Sequence, residues 1–122
     1  MPYTYSFEKL EVWQDARALV KEIYKICAAL PSHEKYGLFS QMQRAAVSIA
    51  SNIAEGSSRN SEKDQERFYE IAFGSLTELY CQLILCSDLD YINEDNFNIT
   101  KDLIQKTSNK LNALKKSIRR RG

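Results

Sequence analysis

Histidine, proline and glycine are scarce in this chain, and its apolar stretches are short. Its 122 residues include one histidine, His33, two prolines and four glycines. With a single histidine and no Cys-x-x-Cys pair, no ligand set stands at a zinc spacing, so neither a metal nor a cofactor is expected. The scarcity of glycine and proline excludes collagen-like and linker-rich architectures. No apolar run approaches the roughly 20 residues of a membrane-spanning helix. The opening MPYTYSFEKLEVW has neither the basic start nor the apolar core of a signal peptide, so a cytoplasmic location is expected. Cysteines number three, Cys27, Cys81 and Cys86; an odd count without an export signal argues against a disulfide framework. All three fall in helical pattern and are expected to pack as small apolar side chains.

With 43% apolar and 27% charged residues, the chain has the composition of one folded domain over residues 1–122. Strand-like alternation of useful length is missing, whereas apolar residues recur at helical steps almost throughout. The first predicted helix covers residues 8–30, with Val12, Ala16, Leu19, Ile23, Ile26 and Cys27 on one face. The second covers 36–56, with Met42, Ala45, Ala46, Ile49 and Ile53 inward and Gly56 in the place of a C-terminal cap. A third, over 61–88, starts from Ser61 as N-cap and carries a broad apolar arc that includes Phe68, Ala72, Phe73, Leu79, Tyr80 and Leu83. An arc of that width exceeds what one partner helix covers and suggests burial against another subunit. The fourth, over 94–120, places Phe97, Thr100, Ile104, Thr107, Leu111, Leu114 and Ile118 at alternating steps of three and four, a bundle seam. Short connections force neighbours to reverse direction, so the expected fold is all-α, an antiparallel up-down-up-down four-helix bundle.

Net charge is only +1, but its distribution is uneven. Residues 101–121 carry eight basic side chains and one acid, Asp102, while the first hundred residues sum to −6. Such asymmetry points to an anionic partner, and Lys115, Lys116, Arg119, Arg120 and Arg121 are the candidate nucleic-acid contacts. The plainer account is a helix end whose cations complement its dipole.

On the second helix Gln41, Arg44, Ser48, Asn52 and Glu55 form a stripe opposite the core face. Amides and a hydroxyl beside Val47, Ala50 and Ala54 suit close helix approach better than plain solvation, so the stripe is a candidate interface. On the third helix, Gly74 costs about 1 kcal/mol relative to Ala unless something packs there, and Glu78 is a candidate partner for Arg44. Phe73 and Tyr80 are the candidate apolar edge of the same interface. No nucleophile–base pair, phosphate loop or Glu-x-x-His motif accompanies these residues, and the chain is not expected to be an enzyme.

Three stretches carry a family resemblance: FEKLEVWQDA at 7–16, YGLFSQMQRAAVSIASNIAEGSSR at 36–59 and FYEIAFGSLTEL at 68–79. In these the chain resembles the four-helix bundle proteins related to those encoded in bacterial 23S ribosomal RNA intervening sequences. It departs from their common pattern at Gln43, where relatives often carry an arginine before Arg44. The resemblance implies a protomer that assembles into a ring, commonly a homopentamer, and implies no established activity. Accessory proteins of diversity-generating retroelements look similar in fold and ring, and they work with RNA through basic surfaces. Two functions follow as expectations. One is a non-enzymatic oligomer that binds RNA or DNA through the basic end of the fourth helix. The other is a structural or adaptor oligomer that binds a protein and no nucleic acid.

Overall fold

The apolar spacing closes into four helices in the computed structural model, which describes residues 5–29 and 31–121, with side chains through residue 118. Helix α1 spans Glu11–Ala28, α2 Leu38–Ser57, α3 Glu62–Asp88 and α4 Glu94–Arg121, and no strand occurs among the described residues.

Two of these helices start later than their patterns suggest. Glu8 does not open α1; its carboxylate accepts the Tyr5 N–H at 2.8 Å and closes a separate 3-10 turn, Ser6–Lys9. Leu10 is then extended, which breaks the path before α1. The Phe7 ring lies edge-on to Trp13 at 4.8 Å and fixes this turn against α1. Ahead of α2, Glu34 accepts the Leu38 N–H at 3.3 Å, so helical geometry begins at Leu38 rather than Tyr36. By contrast α3 starts where its cap residue predicts, with the Ser61 hydroxyl accepting the Asp64 N–H at 3.1 Å. Asn93 does the same for α4, accepting from the Asn96 N–H at 2.7 Å. Asp90, with φ 59°, turns the chain between α3 and α4 and lets the Tyr91 N–H reach the Cys86 carbonyl at 2.9 Å.

Each helix packs on its neighbours in chain order, and α1 closes the square against α4. Contacts fix the directions. Across α2 and α3, Met42 meets Cys86, Ser48 meets Ser75 and Gly56 meets Tyr69, so one number falls as the other rises and the two helices run antiparallel. The core holds Leu19 and Ile23 of α1, Met42, Ile49 and Ile53 of α2, Leu79 and Leu83 of α3, and Leu111 and Ile118 of α4. Burying each such aliphatic side chain is worth about 1.5–3 kcal/mol. Thr100 and Thr107 are fully buried in the α4 seam, and their hydroxyls donate to the Asn96 and Leu103 carbonyls at 2.9 and 2.8 Å. Those internal bonds remove the desolvation cost that a bare hydroxyl would carry there.

Gly56 is not a helix cap. It lies inside α2, buried, where a Cβ would stand 2.6 Å from the Tyr69 ring. Its missing side chain lets α3 cross α2 with a tyrosine in the gap. The broad arc of α3 also has an internal explanation, since α3 packs between α2 and α4. Ile71, Ile84 and Leu85 nevertheless remain exposed on its outer side.

Candidate functional site

The five stripe residues of α2 divide into two groups. Ser48 and Asn52 are half-buried and satisfied within the protomer. The Asn52 amide donates to the Ser48 carbonyl at 2.8 Å and to its hydroxyl at 3.1 Å, while the Ser48 and Ser75 hydroxyls share a 2.9 Å bond across the α2/α3 seam. Glu55 pairs with Arg59 one turn on, and the Arg59 guanidinium lies over Phe68 at 4.9 Å. Gln41 and Arg44 are exposed.

Arg44 forms no ion pair with Glu78, contrary to the sequence-based expectation; neither makes an ion pair among the described residues. Their heights match, because Ser48 opposite Ser75 sets Arg44 level with Glu78. Arg44 nevertheless stays on α2, lining a shallow hollow with Tyr24 of α1 and Ser40, Gln43, Val47 and Ser48 of α2, and Glu78 stays exposed on α3. Gly74 stands one turn before Glu78, and a Cβ there would meet nothing within 4 Å. Among the described residues nothing approaches this glycine, although the sequence anticipates close packing at it. On either side along α3, Ile71 and Leu85 are 43% and 44% exposed. The outer α2/α3 surface thus combines unpaired opposite charges, an open glycine and exposed aliphatic groups.

Phe73 and Tyr80 are half-buried and face α4 rather than the α2 stripe, lining a small hollow with Leu76, Thr77, Ile104, Gln105 and Ser108. Above Phe73 lies Lys115, with Nζ 5.0 Å from the ring centroid and 2.5 Å from Glu70. Lys115 is therefore a strut between α4 and α3, its side chain only 12% exposed. Lys106 and Lys110 converge on Asp15 of α1 at 3.5 and 2.7 Å. The Asp15 hydrogen bond holds the Lys110 ammonium above its ordinary range. Three basic residues of α4 are thus spent inside the protomer. Lys116 is exposed and makes no ion pair among the described residues. The Arg119, Arg120 and Arg121 side chains lie outside the described residues, although the α4 backbone runs to Arg121.

Burial pushes the Cys27 and Cys86 thiols up to about 11, where they are poor nucleophiles at neutral pH. Cys81 is exposed. A thiol-reactive chromophore is expected to label one cysteine per native chain and three after denaturation; Cys81→Ser is expected to abolish the native signal. Because both buried thiols have raised values, their stabilising effect is complete below pH 9 and is lost as pH rises from 9 through 11. Among the described residues no cluster of His, Cys, Asp and Glu could hold a metal ion, and no helix is long and apolar enough to cross a membrane.

Sequence patterns missed two clusters at the connection end of the bundle. Tyr91 donates to Glu34 at 3.0 Å and lies 3.1 Å from His33 Nε2, which ties the α1–α2 connection to the start of α4. The Glu34 carboxylate raises the Tyr91 phenol above its ordinary value. Nothing in local spacing links residues 34 and 91. The second cluster is a groove of about 590 Å³ between α1 and α2, lined by Tyr24, Ser32, Lys35, Tyr36 and Gln43, among others. Only the exposed tyrosines near lysines could have signalled it.

Comparison with known proteins places this bundle. No curated protein matches the chain. A crystal structure from Bacteroides thetaiotaomicron, described as a protein with unknown function from the S23 ribosomal protein family, superposes with a TM-score of 0.79. That match has 20% sequence identity and covers 86% of this chain and 98% of the other, so it establishes a shared fold. The model of the 23S rRNA-intervening sequence protein family matches residues 8–113, and the chain belongs to that family.

Proposed function

We propose that this protein is a non-enzymatic homo-oligomer, a ring of five copies, that presents the basic ends of its α4 helices to RNA or DNA in the cytoplasm. One observation carries the assembly: Arg44 of α2 and Glu78 of α3 are exposed at the same height and make no ion pair among the described residues, with open Gly74 and exposed Ile71 and Leu85 along α3 beside Glu78. Complementary charges left unpaired on two different helices suit a head-to-tail contact, in which Arg44 of one copy meets Glu78 of the next. Contacts of that kind close into rings when the rotation between copies permits. Desolvating the two charges together as a bidentate pair gives register, and the glycine allows backbones to approach. Around such a ring, Lys116 and Arg119–Arg121 recur once per copy, and the repeated cations gain avidity for a phosphate backbone.

A second reading, a scaffold that binds a protein and no nucleic acid, is favoured by the internal pairing of Lys106, Lys110 and Lys115, which lowers the charge α4 can offer a phosphate.

Charge exchange tests the assembly. Arg44→Glu and Glu78→Arg are each expected to lower the mass measured by light scattering, and the double exchange to restore it. Single variants with the wild-type mass would remove this contact from the account.

A further inference from the structure

The groove between α1 and α2, at the end of the bundle opposite the α4 terminus, has the chemistry of a binding site for single-stranded nucleic acid. We infer that it takes a short single-stranded segment, with bases stacked on Tyr24 and Tyr36 and phosphates against Lys35 and the lysines of α1. This reading goes beyond the proposed α4 contact and does not depend on it; the groove adjoins the Arg44 hollow, with which it shares Tyr24, Ser40 and Gln43, so assembly is measured beside binding in every variant. The groove holds about 590 Å³. Tyr36 is 88% exposed and Tyr24 47%, and neither ring is used in a hydrogen bond or an aromatic pair among the described residues. Lys35 lies over one face of the Tyr36 ring, and at 88% exposure the ring keeps surface on which a base can stack.

Charge complements the rings. Lys35 lines the groove with its ammonium 5.6 Å from the centroid of the Tyr36 ring, and Lys21 and Lys25 each stand three residues before a lining residue of α1, Tyr24 and Ala28. Residues three apart share a helix flank. None of these lysines makes an ion pair among the described residues, and no carboxylate lines the groove. The nearest acid in sequence, Glu34, is held by the Tyr91 hydroxyl and the Leu38 N–H. Ser32, Ser40 and Gln43 add polar groups that can meet base edges. Duplexes are excluded by the same features, because their bases are already stacked and cannot lie on the tyrosines.

Fluorescence anisotropy tests the proposal with the full-length protein, a labelled 12-nucleotide oligouridine and a 12-base-pair duplex at low and high salt. Tyr24→Ala/Tyr36→Ala is expected to weaken single-strand binding about tenfold or more while leaving duplex binding unchanged. Tyr24→Phe/Tyr36→Phe should bind like wild type, since stacking needs the ring and not the hydroxyl, and Lys35→Glu should weaken binding and flatten its salt dependence. Uridine monophosphate is the control for a mononucleotide pocket; competition by it at micromolar concentration would overturn the strand reading. A Lys116→Gln/Arg119→Gln/Arg120→Gln/Arg121→Gln variant separates the two sites. Loss of duplex binding there, with single-strand binding retained, leaves the groove standing whatever becomes of the α4 contact. Wild-type protein that fails to bind the single strand at low salt overturns the inference. Tyrosine-to-alanine variants that bind as tightly as wild type overturn it too, and so do variants that lose assembly instead of binding.

Discussion

Gly56→Ala is expected to cost about 1–3 kcal/mol of stability, the range for overpacking a filled core. The new Cβ would stand 2.6 Å from one carbon of the Tyr69 ring, 2.9 Å from a second and 3.1 Å from Cβ of Phe68. Tyr69 is 2% exposed and cannot swing into solvent without opening the α2/α3 seam. Alanine's better helix propensity, worth about 1 kcal/mol, offsets only part of this strain. Urea denaturation followed by circular dichroism should show the loss as a lower midpoint with an unchanged slope. Gly56→Leu should leave no cooperative transition. A Gly56→Ala protein as stable as wild type would mean that α3 is free to shift away from α2 at this crossing.

Gly74→Trp is expected to act on assembly and not on the fold. Within a protomer the side chain would project into open space, since a Cβ at this position meets nothing within 4 Å. In the proposed assembly an indole would occupy the space assigned to the next copy's backbone. Size-exclusion chromatography with light scattering should report a protomer of 14.1 kDa with native helical content. The two glycines make a matched pair: one opens space inside the protomer, the other on its outer face. An assembly that tolerates Gly74→Trp would place the contact elsewhere on the surface.

The seam of α4 was legible because Phe97, Thr100, Ile104, Thr107, Leu111, Leu114 and Ile118 alternate in steps of three and four; the structure buries five of them and leaves Phe97 and Leu114 half-buried against the core. Periodicity reports which residues face inward, because helix geometry alone sets it. The cap at Ser61 was readable for the same reason, as it acts within one turn. Gly56 misled, because a glycine that ends an apolar pattern looks the same whether it caps a helix or admits a ring from another one. Phe73 and Tyr80 misled in direction: spacing showed an apolar edge, and only tertiary packing shows that the edge belongs to α4. Lys115 was read as a phosphate contact from its neighbours in sequence, yet Glu70, 45 positions away, holds it inward. The site was less legible than the fold because it is defined by what the protomer leaves unpaired, and absence of a partner leaves no mark in local sequence. Arg44 and Glu78 stood out by residue type, but that they make no ion pair with each other is visible only in the packed bundle.

Light scattering on the wild-type protein over a dilution series from about 100 to about 1 micromolar tests the central claim most directly. Five protomers of 14.1 kDa give about 70 kDa, and the account predicts that mass across the series. A 14.1 kDa species throughout would contradict it. The exposed charges and aliphatic groups of α2 and α3 would then belong to a different partner.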